Sequence, residues 1–300
     1  MRYRARAPLR IDFGGGWTDV PLYAREHGGA VVNAAITRYA RGSIGVGPVR
    51  RHDRVLGRPS SGVSYTVDAP SGSGLGTSAA QNVLWVTLVK TTVANVSDRA
   101  EIADIACQVG NLLGIVGGKQ DEYASALGGV HYFSFNNSVE AERLDSSPSL
   151  AGDLLSRLVL VYSGESRISG SIHDRVWERY RLGNPAVLDA LSRLRDLAGA
   201  MRETLLSRDF DAFGRLLSEN WECQKALDAS VTTPRLEAIM DAARRAGAIG
   251  GKACGAGGGG CLVFCSAVDQ RGTLAASLAR QGLPVLDFDF DTYGVYLTKG

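Results

Sequence analysis

Residues 70–80, Pro-Ser-Gly-Ser-Gly-Leu-Gly-Thr-Ser-Ala-Ala, combine alternating glycines with hydroxyl side chains directly before an apolar, helix-compatible segment. Glycine adopts positive φ without strain, so successive backbone N–H groups can point into one concavity. The following helix adds free N–H groups and the positive end of its dipole, which together favour phosphate. Thr77 and Ser78 are then placed to hold a phosphate oxygen or a Mg²⁺ ion. The stretch predicts a phosphate-binding loop, with a flexible glycine–serine turn as the alternative.

A second glycine cluster lies far along the chain, at 255–260, and ends in four consecutive glycines before a strand-like segment. Its G-x-G-x-x-G match is not a dinucleotide fingerprint, because it leads into a strand and not from a strand into a helix. Either another backbone element or a ligand packs closely there. Together with the loop at 70–80, the pattern favours two glycine loops that close on a polyphosphate.

Two further glycine turns carry charged residues. Arg10 and Asp19 flank the turn Gly14-Gly-Gly16, and Asp121 follows Gly117-Gly118 and Lys119. An arginine can balance phosphoryl charge, and a short carboxylate beside a turn suits sugar hydroxyls. A carboxylate at position 121 could take a proton from an attacking hydroxyl. The structural alternatives are an Asp turn, a surface arginine and a helix N-terminal cap.

Composition excludes several classes of function. A net charge of +2 without a long basic run argues against a nucleic-acid binder. The five cysteines form no C-x-x-C pair, which suits reduced thiols in a cytoplasmic protein. We expect no secretory signal, because residues 1–8 lack an apolar h-region, and no apolar run approaches the roughly 18 residues that a membrane span needs. The four histidines show no metal-ligand or triad spacing, so structural or surface roles are predicted for them.

The chain alternates strand-like and helix-like segments, which predicts an α+β protein of two domains, residues 1–150 and 151–300. The polar segment 136–149 is the predicted boundary. Helices are predicted from the periodicity at 98–113, 170–182, 186–207, 209–228 and 269–281, with a further start at 233–237. Strands are predicted at 29–36, 38–46, 64–68, 129–135, 158–163, 261–265, 285–290 and 294–298.

Taken together, the motifs at 7–19, 70–80 and 252–261 make the sequence resemble the GHMP kinases, the superfamily of galactokinase, homoserine kinase and mevalonate kinase. The order and spacing of the three motifs cover nearly the whole chain. Two shorter stretches, Gly-Lys-Gln-Asp-Glu-Tyr at 118–123 and Tyr-Ser-Gly-Glu-Ser-Arg at 162–167, look most like the bacterial heptose 7-phosphate kinase branch, which includes related sugar and cyclitol kinases.

The resemblance implies a ribosomal-S5-like N-terminal domain and a ferredoxin-like C-terminal domain, with the active site between them. It implies ATP and Mg²⁺ as cofactors, Asp121 as catalytic base, Arg10 beside the transferred phosphoryl group and Ser78 at the metal. The ATP-binding set that it implies is Pro70, Gly72, Ser73, Gly74, Leu75, Gly76, Thr77, Ser78, Gly257 and Gly258. The substrate-binding set is Gly16, Trp17, Thr18, Asp19, Lys119 and Arg167.

The sequence departs from the family at one position. The resemblance implies a Mg²⁺-binding glutamate where this chain has Val109, whose helical spacing fits a core face, and valine cannot ligate a hard cation. The expected function is an ATP-dependent kinase for a hydroxyl, most readily the anomeric or C1-equivalent one, of a sugar phosphate or cyclitol phosphate such as a heptose 7-phosphate. The alternatives are a kinase of an unphosphorylated hexose and a weakly catalytic sugar and nucleotide sensor. The expected partner is a small molecule, neither nucleic acid nor membrane, and the oligomeric state stays open.

Overall fold

A computed structural model describes residues 2–45, 63–93, 98–112, 117–166 and 170–300. The strands within these ranges are β1 (Arg2–Gly14), β2 (Gly29–Gly45), β3 (Val63–Val67), β4 (Val130–Phe135), β5 (Val139–Arg143), β6 (Leu158–Tyr162), β7 (Ala248–Ala253), β8 (Cys261–Ser266) and β9 (Tyr296–Lys299). The helices are α1 (Pro21–His27), α2 (Thr77–Val93), α3 (Arg99–Leu112), α4 (Gln120–Leu127), α5 (Pro148–Leu155), α6 (Gly170–Arg181), α7 (Pro185–Leu206), α8 (Phe210–Leu227), α9 (Pro234–Arg245) and α10 (Arg271–Arg280). A 3₁₀ turn at Ala229–Val231 links α8 and α9.

The strands form two antiparallel sheets. The larger has the order β5-β4-β2-β1-β9, with β3 also paired to β2, and the smaller has the order β6-β8-β7. Helices α2 and α4 pack against the larger sheet, α3 packs against these two helices, and helices α7 and α8 also contact the central strands of the sheet. Most of the first half of the chain therefore lies around one sheet and most of the second half around the other.

Strand β1 changes character along its length. Exposed and buried residues alternate at its start, whereas every residue from Ala7 to Gly14 is buried. Pro8 lies inside the strand at a register shift between Pro8 and Leu9, which is where a strand tolerates a residue without an N–H. The buried half of β1 carries Arg10 and Asp12, which lie two residues apart and so share one face of the strand.

The smaller sheet separates two hydrophobic cores. Cys261, Val263 and Cys265 of β8 belong to the core beneath the larger sheet, whereas Leu262 and Phe264 belong to the second core among α6–α10. Because successive strand residues point to opposite faces, a strand that is buried on both sides has to be apolar throughout. The continuous apolar sequence of β8 follows from this position.

Several predicted elements are confirmed with small shifts of their ends. Asp98 Oδ1 accepts hydrogen bonds from the N–H groups of Ala100 and Glu101 at 2.8 and 3.3 Å, which caps α3. Thr233 caps α9 by accepting from Leu236 N at 3.2 Å, with Pro234 in the first turn. The two strands predicted at 29–36 and 38–46 form the single strand β2, which ends at Gly45.

The structure adds detail at the predicted boundary and corrects one predicted strand. The polar segment 136–149 contains β5, which pairs with β4 in the larger sheet, and the division of the chain into 1–150 and 151–300 stays a prediction. Residues 285–290 form only isolated bridges, Val161 to Val285 and Ile36 to Phe290. The final strand, β9, pairs with β1 and not with the smaller sheet. Within the described ranges, no helix combines the length and apolarity that crossing a membrane requires.

Candidate active site

The loop at 70–80 has the conformation that its glycines predict. Gly72, Gly74 and Gly76 have φ values of 65°, 73° and 71°, so every second residue lies in the left-handed region. Helix α2 begins at Thr77, directly after the last of these glycines. Alternating left-handed residues before a helix N-terminus produce a concave backbone surface that suits anions.

Arg10 and Asp121 form a bidentate ion pair beside this loop. The guanidinium donates from Nε to Oδ1 and from Nη2 to Oδ2, both at 2.7 Å. Its Nη1 donates to the carbonyl of Gly74 at 2.5 Å. Burial opposes the charge of Arg10, but the carboxylates of Asp121 and Asp12 outweigh it and raise the pKa of Arg10 above its ordinary value. The pair therefore fixes the orientation of the carboxylate and links it to the glycine loop.

The pair is positioned by three elements that are distant in sequence. Arg10 lies in the buried half of β1, and its N–H donates to the carbonyl of Leu75 at 3.0 Å. Asp121 lies in the first turn of α4. A Cβ on Gly76 would lie 3.3 Å from Asp121 Oδ2, so the loop passes directly over the carboxylate. The Asp121 side chain keeps 26% of its surface exposed, which leaves it accessible to a substrate.

The glycines at 255–260 pack against protein backbone. A Cβ on Gly260 would lie 2.7 Å from the carbonyl oxygen of Ser73, and Cys261 N donates to the same oxygen at 2.8 Å. A Cβ on Gly257 would lie 2.4 Å from the carbonyl oxygen of Val231, to which Gly258 N donates at 2.6 Å. Backbone packing accounts for these glycines, and Gly255 and Gly260 lie against the loop at 70–80. The assignment of Gly257 and Gly258 to ATP stays a prediction.

A buried ion pair between Asp12 and Lys252 joins the two halves of the chain. Lys252 Nζ donates to Asp12 Oδ2 at 2.5 Å and to the Asp12 carbonyl oxygen at 3.0 Å, and Gly255 N donates to Asp12 Oδ1 at 2.7 Å. The side chains are 0% and 3% exposed. The motifs at 7–19 and 252–261 include both residues, but the sequence analysis did not predict this ion pair. The feature that could have indicated it is a lysine within a strand of otherwise small, apolar residues.

The turn at 16–19 lies against the start of α4, the helix that carries Asp121. Trp17 has a φ of 80°. This conformation is unfavourable for a bulky residue, so contacts with neighbouring residues have to stabilise it. Asp19 Oδ2 accepts from Gln120 N at 3.0 Å, and burial raises the pKa of Asp19 to about 6 against that hydrogen bond. Thr18 is fully buried, and its hydroxyl donates to the carbonyl of Gly15 at 2.7 Å and accepts from Ala30 N at 3.0 Å. These bonds stabilise the turn, and the assignment of Thr18 to the substrate stays a prediction.

The other residues predicted to bind the substrate are Gly16, Lys119 and Arg167, of which the structure describes the first two. A Cβ on Gly16 would lie 3.1 Å from Asp12 Oδ2 and 3.2 Å from Gln120 Nε2, so this glycine lets the turn approach two polar side chains. Lys119 directly precedes α4 and is half-buried. Arg167 lies outside the described residues.

Gly118 makes the position of Asp19 testable. A Cβ on Gly118 would lie 1.7 Å from Asp19 Oδ2, whereas a Cβ on Gly117 would meet nothing within 4 Å. We expect Gly118→Ala to displace the Asp19 carboxylate and to raise the KM for the acceptor by about tenfold or more, because small displacements of positioning groups are costly. Gly117→Ala is the matched control and should change the KM less than about twofold. Steady-state kinetics with varied acceptor measure both; equal effects would contradict a role for Asp19 in binding.

Glu122, which follows the proposed base, is a buried acid whose Oε2 lacks a hydrogen-bond partner among the described residues. Burial, and then the charge of Asp121, raise the pKa of Glu122 to about 8. Since the unfolded chain ionises near the ordinary value of roughly 4.3, folding takes up a proton between these two pH values. Stability contributed by the neutral acid is therefore full below about pH 4 and is lost as the pH rises through about 8.

We accordingly expect Glu122→Gln to stabilise the protein progressively between pH 5 and pH 9, reaching on the order of 3 kcal/mol relative to the natural chain, because one pKa unit corresponds to about 1.4 kcal/mol. Urea denaturation at both pH values measures the difference. Glu178→Gln, at an exposed position of α6, is the control and should change the free energy of unfolding by the same small amount at pH 5 and at pH 9. A constant difference for Glu122→Gln would show that the acid does not titrate as its burial implies.

The described residues do not by themselves build a Mg²⁺ site. Val109 is half-buried and packs against the first core, as its helical spacing predicted. Ser78 is exposed in the first turn of α2 and offers one hydroxyl. Among the described residues there is no group of three acidic, histidine or cysteine side chains able to hold a metal ion. The assignment of Ser78 to the metal stays a prediction.

Comparisons with known proteins agree with this geometry. The GHMP kinases N terminal domain family matches residues 47–129, and the GHMP kinases C terminal family matches residues 201–276. The D-glycero-alpha-D-manno-heptose 7-phosphate kinase of Campylobacter jejuni is 29% identical over 97% of this chain and 97% of its own. A bifunctional fucokinase/GDP-fucose pyrophosphorylase of Arabidopsis thaliana is 26% identical over 97% of this chain, which spans only 32% of that protein.

Solved structures show the same fold. A D-glycero-D-manno-heptose 1-phosphate kinase from Bacteroides thetaiotaomicron has a TM-score of 0.78 at 24% identity, over 99% of both chains. The expected α+β fold of an N-terminal and a C-terminal GHMP kinase domain is therefore confirmed. The chain belongs to the GHMP kinase family. Membership makes it a phosphotransferase that uses ATP and an alcohol group as acceptor.

Proposed function

We propose that the chain transfers the γ-phosphoryl group of ATP to the anomeric or C1-equivalent hydroxyl of a sugar phosphate, with a heptose 7-phosphate as the first candidate. The observation that carries this proposal is the Arg10–Asp121 pair, because it places a fixed, partly exposed carboxylate against a phosphate-binding loop. The full-length similarity to a heptose 7-phosphate kinase supports the choice of acceptor.

The geometry supports a direct transfer. Both oxygens of Asp121 keep a lone pair besides those used by Arg10, so one of them accepts the proton of the acceptor hydroxyl. The acceptor oxygen then forms a bond to the γ-phosphorus as the bond to the β–γ bridging oxygen breaks, giving the phosphorylated sugar and ADP. Phosphoryl transfer depends mainly on positioning and charge neutralisation, and Arg10 lies where it can supply positive charge.

The glycine loop fits a triphosphate. Its backbone is concave, α2 begins at its end, and the buried Ser73 Oγ has no hydrogen-bond partner among the described residues. We propose that Pro70, Gly72, Ser73, Gly74, Leu75, Gly76, Thr77 and Ser78 surround the phosphates. Mg²⁺, when it accompanies ATP, neutralises the charge of the phosphates, and Ser78 is the side chain that we propose beside it.

A panel of acceptors tests the function. Purified protein with ATP and Mg²⁺ is incubated with heptose 7-phosphates, hexose 6-phosphates, unphosphorylated hexoses and cyclitols, and products are read by mass spectrometry. We expect the mass of one phosphate to be added most rapidly to a heptose 7-phosphate. If no acceptor gains mass while nucleotide still binds, the kinase proposal fails and the sensor alternative replaces it.

A kinase of an unphosphorylated hexose is the second candidate, and it rests on the similarity to a bifunctional fucokinase across nearly the whole of this chain. The same panel separates the two, since a hexose kinase would show a higher kcat/KM for L-fucose than for any sugar phosphate.

A cytoplasmic location stays a prediction from the cysteines.

A further inference from the structure

His173 lies in a position that the proposed reaction does not yet use. It is half-buried in the first turn of α6. Its ring stacks on Trp17 with centroids 4.3 Å apart and an angle of 25° between the planes. Trp17 belongs to the turn that also carries Asp19. The imidazole therefore borders the acceptor side of the site, although histidine spacing in the sequence indicated no such role.

The hydrogen bonds of His173 determine which ring nitrogen can donate. Trp177 Nε1 donates to His173 Nδ1 at 3.4 Å. A neutral imidazole that accepts at Nδ1 carries its proton on Nε2, which then acts as a donor. Within the described ranges, no residue provides a hydrogen-bond partner for His173 Nε2. Trp17 Nε1, in the stacked ring beside it, is buried and also lacks a partner there.

The electrostatic surroundings of His173 agree with this position. Burial lowers the pKa of His173, and the carboxylate of Asp121, followed by that of Asp174, opposes this shift. Burial therefore favours the neutral ring, which keeps the Nε2–H donor available and adds no positive charge to this side of the site.

We propose that His173 is a specificity-determining residue, whose Nε2–H donates a hydrogen bond to a hydroxyl oxygen of the sugar while its ring and Trp17 form one wall of the acceptor site. This assignment rests on the proposed function. A site with a fixed donor discriminates against an analogue that lacks the matching oxygen, since the donor then has no partner in the complex.

Two substitutions test the hydrogen bond separately from the stacking. His173→Phe keeps an aromatic ring against Trp17 but removes the Nε2 donor together with the Nδ1 acceptor of Trp177, whereas His173→Gln places an amide N–H near the position of Nε2. With D-glycero-D-manno-heptose 7-phosphate as acceptor, we expect His173→Phe to raise the KM for sugar at least tenfold, with the KM for ATP within about twofold. His173→Gln should stay within about threefold. His27→Phe, on α1, is the control and should leave the sugar KM unchanged.

Deoxy analogues identify the contacted hydroxyl. For the analogue that lacks it, the natural protein and His173→Phe should have equal kcat/KM. An unchanged sugar KM in His173→Phe would overturn the proposal, and so would equal losses in both variants accompanied by a lower Tm. Sugar binding in the presence of ADP, followed by tryptophan fluorescence, gives the same comparison without turnover. If the natural protein binds the sugar without transferring phosphate, the proposed function fails while the role of His173 is still decided by these binding constants.

Discussion

Asp121→Asn is expected to lower kcat by about 10²- to 10⁴-fold, the range that a positioned general base contributes. The asparagine still offers an oxygen to Arg10, so the loop beside it should keep its conformation and the affinity for ATP should change little. Single-turnover transfer and nucleotide binding by calorimetry measure the two quantities. Asp241→Asn, at an exposed position of α9, is the control for handling and folding.

The result separates two roles for this carboxylate. If transfer is lost and ATP binding is retained, Asp121 acts in the reaction. If kcat stays within about tenfold of the natural protein, Asp121 only anchors Arg10, and the proton leaves by another route. A loss of both transfer and ATP binding would show that the pair organises the glycine loop, in agreement with the Arg10 hydrogen bond to Gly74.

Lys252→Met is expected to cause the largest loss of stability, about 3–5 kcal/mol, because it leaves the carboxylate of Asp12 buried without its cation. The double variant Asp12→Asn/Lys252→Met removes both charges and retains an oxygen for the N–H of Gly255. It should recover about 1–3 kcal/mol relative to the single variant, since replacing both partners avoids the unpaired charge.

An exposed pair provides the matched control for this cycle. Arg244 and Asp241 form an ion pair at i and i+3, with both side chains more than half exposed. Arg244→Met should change the free energy of unfolding by less than about 1 kcal/mol, as is usual for surface pairs. Urea denaturation of all variants gives the comparison. Lys252→Met as stable as the natural chain would mean that the Asp12–Lys252 pair is not formed in solution.

Local patterns predicted much of the fold. The helix predicted at 98–113, the helix start at 233–237 and the apolar strand at 261–265 depend on neighbouring residues, and all three are confirmed. The pairing of β9 with β1 joins residues almost 300 positions apart, and no local signal specifies it. The four-residue strand is too short and polar to show which sheet it completes.

In the candidate site, too, some features could be predicted from the sequence and others depend on contacts between distant parts of the chain. The motif order and the family resemblance named Arg10 and Asp121, and the structure brings them into contact. Thr18 and the glycines at 255–260 contact backbone atoms from other parts of the chain. The spacing of residues within a motif cannot predict these contacts. His173 could not be recognised, because its stacking on Trp17 exists only once α6 is packed.

The contact between the loop at 70–80 and the turn at 254–261 has a consequence for recombination among related kinases. The carbonyl of Ser73 accepts from Cys261 N, and Gly74 lies against the backbone of Cys254. A chimera with a crossover between these segments takes the loop from one kinase and the turn from another, so the two packed surfaces differ in shape. Because protein interiors are close-packed, such differences in shape destabilise the contact. Acceptor preference in this architecture should therefore be exchanged by grafting short segments, such as the first turn of α6, and not by swapping halves.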